Sequence, residues 1–351
     1  MPAYSPIVIR EALPYDNEGL LQLTALTPMK GNVTLFVDRK PDFFGLLRQR
    51  GPFYTFVAEC NDQIIGSGSI SEIAVYIKGK EEKAYYLGDF KVHPDFQRST
   101  VAVRLAKATI EKLNALNANL IFCAITTGNK AIVPFFQGRL FFPLGLDAGK
   151  FNVFQIIPSP LKMKPDKYQT VEVLANPDVA GFLDKFMMKY QFAQIQSETN
   201  LRECRIITAV CGKEVVAAIA LANPDEWKQE VLLKVKILQK IMLATVNALP
   251  GLCFPRLNEP VRVLYIRSFA CKSGHEKALE MLLTRARNIA FEEKFHFLSI
   301  GLHEKNTYLK LFRAPLHITL ESNMYIGSMK NETDKIVSLL HSTPFLDYSL
   351  I

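Results

Sequence analysis

Near the middle of the chain, residues 156–167 read IIPSPLKMKPDK, with Pro158, Pro160 and Pro165 close together. Proline has no amide hydrogen to donate and pushes the residue before it out of the helical region. Such a stretch joins folded bodies rather than forming part of one. It divides the 351 residues into two parts of similar length, each the size of an ordinary domain. The two parts also spell the same order of elements. Each opens with an apolar strand (IVIREAL from residue 7, YQTVEVL from 168) and a helical pattern starting near Asp16 or Asn176. A strand, a polar turn and a strand follow, in FYTFVAECNDQIIGSGSI from Phe53 and CRIITAVCGKEVVAAIALA from Cys204.

The parallel continues through a further strand (Tyr85–His93, Val263–Ala270) and a long amphipathic helix (about residues 99–116 and 274–294). An apolar strand, LIFCAIT or FLSIGL, leads to an Asn-led helix, NKAIVPFF or NTYLKLF. A last strand, KFNVFQI or SNMYIGS, closes each half. This is a repeat of pattern, with few letters in common. Strands mixed with helices predict an α/β (α+β) mixed sheet flanked by helices in each half. The expected division is 1–157, a linker 158–167, a second domain 168–329 and a tail 330–351 that docks on one of the domains.

Composition narrows the function classes. Apolar residues make up 49% and charged residues 22%, which excludes a disordered or fibrous chain. No apolar run is long enough to span a bilayer, and MPAYSPIVIREA has no basic-then-apolar leader, so a cytoplasmic protein without a membrane partner is expected. Six scattered cysteines read as buried thiols, and Cys204 and Cys211 lack the second pair that a zinc site needs, so no metal is expected. The net charge of +8 is spread without basic blocks or interleaved aromatics, which leaves nucleic acid unsupported and is compatible with a phosphate-bearing ligand.

The segment richest in chemistry is Tyr86–Lys107, YLGDFKVHPDFQRSTVAVRLAK. A strand stops at Val92-His93-Pro94, and a polar turn delivers the chain to a helix start at Ser99-Thr100. A helix N-terminus presents unpaired amides and positive dipole charge, hence a phosphate site. Gln97 and Arg98 stand beside it, Arg104 and Lys107 follow, and no acid occurs from Ser99 through Lys107. The corresponding start in the second half, Ser273-Gly274-His275-Glu276, has the Ser-x-x-Glu spacing of a capping box, which would use up those amides.

The first of these segments resembles the cofactor motif of the GNAT acetyltransferase superfamily: Val92-x-Pro94, then Gln97-Arg98-Ser99-Thr100-Val101-Ala102 opening a helix. Asn129, Ala131, Phe135 and Phe136 are similar to the family's Asn-x-x-Ala-x-x-Phe-Tyr helix, and the order of elements agrees across residues 7–156. The resemblance implies two tandem GNAT-like acyl-CoA N-acyltransferase domains, the second degenerate, each with a splayed sheet. It implies acetyl-CoA as co-substrate, its pyrophosphate on the amides of Arg98, Ser99, Thr100, Val101 and Ala102 with Gln97 beside them. Pantetheine would run along Phe90, Lys91 and Val92, with Asn129 and Phe136 near the cofactor. Thr100 replaces the motif's first glycine, and Phe136 replaces the tyrosine that usually protonates the leaving thiolate.

Acetyl transfer needs a neutral amine, a polarised carbonyl and a stabilised thiolate. Asp89, Glu72 and His93 are the candidate bases, Asp89 sharing a strand face with Lys91 and His93 by alternation. Tyr86, with Tyr85, is the nearby phenol that could replace the missing acid. The expected acceptor is a small primary amine or a lysine side chain, attacked directly in a ternary complex. A homodimer is compatible with the second half's expected roles. The alternatives are a non-catalytic acyl-CoA sensor or an interaction protein built from two decayed domains.

Overall fold

The computed structural model describes residues 6–29, 33–129, 135, 138, 142–162, 167–235 and 255–351. The first half supplies β1 (Val8–Glu11), α1 (Asn17–Leu26), β2 (Val33–Asp38), α2 (Gly45–Arg50), β3 (Phe53–Cys60), β4 (Gln63–Ile77), β5 (Lys80–Val92), α3 (Val101–Ala115), β6 (Leu120–Thr126) and β7 (Gly145–Ile156). The second supplies β8 (Tyr168–Val173), α4 (Pro177–Met187), α5 (Glu198–Leu201), β9 (Arg205–Cys211), β10 (Glu214–Ala222), β11 (Gln229–Val235) and β12 (Pro260–Val261). After these come β13 (Val263–Cys271), α6 (Glu276–Glu292), β14 (Phe297–His303), α7 (Leu309–Phe312), β15 (His317–Ser328) and α8 (Thr333–Leu340).

Local chemistry accounts for the helices. In α3, Val101, Leu105, Ala106, Thr109 and Leu113 recur at helical spacing and are all buried. In α4, Pro177 takes the first position and the Asn176 side chain accepts the Val179 amide at 3.1 Å, a standard helix start. Asn306 was expected to open a longer helix than the four residues of α7.

Twelve strands form one mixed sheet in the order β1-β3-β4-β5-β6-β15-β7-β14-β13-β10-β9-β8. The order is symmetric about its centre, and the two halves have exchanged their closing strands. β6 pairs antiparallel with β15, from Leu120–Ser328 to Thr126–Ser322, while β14 pairs with β7, from Leu298–Ile156 to His303–Phe151. β7 and β15 then pair with each other. Neither half closes with its own last strand, and the exchange leaves no free edge between them.

The cores merge accordingly. Phe122 and Phe151 are fully buried in a cluster that also takes Tyr265, Met324 and Tyr348 from the second half. Each such side chain stabilises the joined sheet by about 1.5–3 kcal/mol. Cys123, Cys204 and Cys271 are among the buried side chains, while Cys253 lies outside the described residues. A second, three-stranded sheet, β12-β11-β2, also joins the halves, with Leu35 opposite Leu232 and Asp38 opposite Gln229.

The linker is pinned rather than loose: Leu161 exchanges two hydrogen bonds with the Asn288 side chain, and Arg287 donates to Ser159 Oγ at 2.8 Å. Pro165 lies outside the described residues. The tail beyond α8 docks between the halves rather than on one. Phe345 N–H donates to the Gln191 carbonyl at 2.9 Å, Leu346 and Tyr348 enter the shared core, and Arg50 Nε donates to the Leu350 carbonyl at 2.5 Å. Gly301 makes room for this: a Cβ there would stand 2.0 Å from Tyr348 Cδ2.

Candidate functional site

Strands β5 and β6 are parallel neighbours only from Ala84–Leu120 to Tyr86–Phe122, and beyond that they part. On its other side, β5 pairs with β4, where Ser67 faces Lys91 but Ser69 faces Gly88. Asp89 and Phe90 therefore share the single partner Gly68, a bulge, with Asp89 in the left-handed region at φ 54°. Aspartate tolerates that conformation better than most residues. The bulge turns Phe90 onto the α3 face, where its ring meets Phe135 edge-on at 5.0 Å. A Cβ on Gly68 would stand 3.2 Å from the Phe90 ring.

Helix α3 begins beside this bulge. A Cβ on Gly66 would lie 2.7 Å from Val101 Cγ1, 2.9 Å from Leu105 Cδ1 and 3.2 Å from the Lys91 carbonyl, so only glycine lets the first turn of α3 sit there. Its N-cap, Thr100, makes no capping hydrogen bond and its first turn holds no acid. Ser99 Oγ donates to the Phe96 carbonyl at 2.6 Å and accepts the Val101 amide at 3.3 Å. Gln97, Arg98 and Arg104 are exposed around this start. Thr100 has a φ of −80°, so its conformation makes no demand for the glycine of the family motif.

The second half differs at the matching place. Helix α6 starts two residues late for the expected box: His275 is the N-cap, without a side-chain cap. The Glu276 carboxylate still occupies the approach, accepting the Gly274 amide at 3.2 Å. The His275 ring sits 3.3 Å from the Tyr168 hydroxyl. There β13 and β14 also part after Tyr265–Ser299, and Phe269 beyond them packs on Phe312 at 4.8 Å and Tyr308 at 5.3 Å.

The candidate bases fall in separate environments. Asp89 is buried and gripped by Arg39, with Nη1–Oδ2 at 3.0 Å and Nη2–Oδ1 at 2.5 Å, while Arg50 Nη1 lies 3.8 Å from Oδ2. Burial pushes its carboxyl up, but Arg39 and Arg50 outweigh that and hold it below its ordinary value. Such a carboxylate is a fixed anion, whereas a base must titrate near the working pH. Glu72 lies opposite Tyr85, four residues before Asp89 along β5, or about 13 Å away. It accepts from Lys83 Nζ at 2.7 Å and from the Tyr85 hydroxyl at 3.1 Å. His93 turns into the loop, its Nδ1 accepting the Asp95 amide at 3.3 Å.

Tyr86 joins the Asp89 group, its ring 4.8 Å beneath the Arg50 guanidinium. Burial pushes its hydroxyl up to about 12. Lys91 is the titrating neighbour: its Nζ donates to the Thr27 carbonyl at 3.2 Å, and burial lowers its ammonium to about 8. Asn129 is exposed just past β6, while Ala131 and Phe136 lie outside the described residues.

Arg39, Arg50 and Lys228 belong to this site, yet the sequence reading missed them. Lys228 is buried between the halves, donating to the carbonyls of Tyr348 at 2.9 Å and Ile351 at 2.8 Å. A signal existed for Arg50. It follows Leu46 and Leu47 at helical spacing, which places it on the buried face of α2.

A parallel pair that splays beside a bulged strand, with an open helix start at its end, is the architecture of acyl-CoA N-acyltransferases, here built twice in one sheet. Residues 23–140 match the model of the acetyltransferase (GNAT) family. Solved structures agree in fold. N-myristoyltransferase of Saccharomyces cerevisiae with bound myristoyl-CoA is 10% identical with a TM-score of 0.60, over 93% of this chain and 85% of that one. The GCN5-related N-acetyltransferase of Anabaena variabilis is 9% identical with a TM-score of 0.53, over 92% of this chain and 72% of that one. That of Kribbella flavida is 10% identical with a TM-score of 0.50, over 92% and 72%. No curated protein matches the sequence. Among the described residues, no helix is long and apolar enough to cross a membrane.

Proposed function

We propose that this chain is an N-acetyltransferase that moves an acetyl group from acetyl-CoA to a primary amine by direct attack in a ternary complex. The observation that carries the reading is the acid-free start of α3, where the Thr100 side chain makes no cap and Ser99 Oγ takes the Val101 amide, set against the β5 bulge and the β5/β6 splay. Its counterpart in the second half carries the Glu276 carboxylate, which accepts the Gly274 amide. Amides of residues 98–102, with Arg98 and Gln97, would hold the pyrophosphate, and the strand from Phe90 to Val92 would guide pantetheine to the splay. A backbone amide near Lys91 or Val92 would polarise the thioester carbonyl.

Asp89 serves as the fixed anion that sets its surroundings, and Lys91, lowered to about 8, is the group suited to exchange a proton near neutral pH. Glu72 and His93 stay outside this group and serve the β4–β5 frame. The second half, domain 168–329 of the sequence division, walls the cleft. A second reading, an acyl-CoA sensor without turnover, draws support from the commitment of Asp89 to its two arginines.

Calorimetric titration with acetyl-CoA, followed by an amine-acetylation assay, tests both. One site per chain with turnover is the expected result, and one site without turnover on any amine favours the sensor. No binding refutes both readings.

A further inference from the structure

The pair of arginines at Asp89 is larger than one carboxylate requires. Arg39 and Arg50 are only 5% and 7% exposed, and each retains a buried donor without an acceptor, Nε of Arg39 and Nη1 of Arg50. Buried guanidinium donors are expensive to leave unpaired. Lys91 adds a third cation to the same carboxylate. The two guanidiniums are held rigidly, Arg39 over the Phe43 ring and Arg50 over Tyr86, each at 4.8 Å, with Arg50 Nε fixed on the Leu350 carbonyl. The group sits on the bulge itself, one residue before the Phe90–Val92 segment, on the face away from Phe90 and α3.

We propose that Arg39 and Arg50 form an anion subsite for the acceptor, so that the amine acetylated by this chain carries a carboxylate close to its amino group. The proposal rests on the acyltransferase reading and adds the substrate class to it. A planar carboxylate suits the two spare N–H donors, Arg39 Nε and Arg50 Nη1, offered one from each guanidinium, where a point charge would not. Asp89 is then the internal anion that holds the forks in place and limits how tightly an external carboxylate binds. A polyamine, with cations only, would be repelled by this group.

The test uses the full chain saturated with coenzyme A. Binding is measured by calorimetry for pairs of probes that differ in one group: N-acetylglycine against N-acetylglycinamide, and N-acetyl derivatives of larger amino acids against their amides. The expected result is at least tenfold tighter binding of the carboxylate member in one or more pairs. Asp89→Asn should tighten the carboxylates further, an effect that a purely structural ion pair would not produce. Arg50→Lys, which keeps the charge but not the fork, should remove most of the preference. Equal binding of both members throughout, or weaker carboxylate binding in Asp89→Asn, overturns the subsite. Failure of the wild-type chain to bind coenzyme A overturns the acyltransferase reading instead, and is seen before any probe is added.

Discussion

Substituting Thr100→Asp places a carboxylate on the open start of α3 and should move stability and ligand affinity in opposite directions. Thr100 is exposed, makes no capping hydrogen bond, and the first turn after it holds no acid. An acid there meets the helix dipole favourably, worth about 0.3–1 kcal/mol. The same carboxylate faces the position proposed for a pyrophosphate. Unit charges about 4 Å apart repel by about 1 kcal/mol in water and by more near a protein surface. Two phosphate charges therefore cost roughly 2–3 kcal/mol, a loss of about 30- to 150-fold in affinity. Calorimetric titration with acetyl-CoA and a thermal melt of the free chain read the two effects on one sample. Thr100→Asn, equal in size but uncharged, should stay within about threefold of the parent. Raising the salt should shrink the aspartate penalty by screening. Unchanged affinity in Thr100→Asp would show that the pyrophosphate does not approach these amides, and the site assignment would fall with it.

Three further outcomes follow from the packing. Gly301→Ala puts a methyl 2.0 Å from the Tyr348 ring, so the tail must shift; a loss of about 1–3 kcal/mol is expected in denaturant melts, and the same substitution made in a Tyr348→Ala background, where the ring is gone, should cost almost nothing more than Tyr348→Ala alone. Residues 1–162 expressed alone should not fold cooperatively, because β6 lacks β15, whereas mixing them with 163–351 should restore a sharp transition; a sharp transition for the first piece alone would contradict the exchange. Lys91 and Lys228 are both lowered to about 8 by burial, from about 10.5 in the unfolded chain. The unfolded chain thus binds more protons between those values, and stability should rise with pH from about 8 to 10.5. Lys91→Met should flatten that rise and raise stability at pH 7 by about 1–3 kcal/mol; an unchanged slope would mean that Lys91 is solvated.

The alternation and helical spacing of the sequence suffice to place β6 at Leu120–Thr126 and to set α3 within two residues of the expected span, because each side chain's burial follows from local period. The Val92-x-Pro94 stop and the acid-free helix start are likewise local, and with them the resemblance to the family. The exchange of β7 and β15 was not legible. Both strands carry the same apolar pattern, and either partner satisfies the same backbone ladder. The choice depends on which arrangement closes the shared core around Phe122, Phe151 and Tyr348. The environment of Asp89 was hidden for a related reason. Strand alternation put it beside Lys91, but the bulge opposite Gly68 and the approach of Arg39 and Arg50 come from loops and helices distant in sequence. A charged residue does not announce its burial in the letters around it, since its partners are chosen in three dimensions. Local period and caps were thus the sequence's own decision, whereas strand partnership and the pairing of buried charges belonged to the tertiary structure.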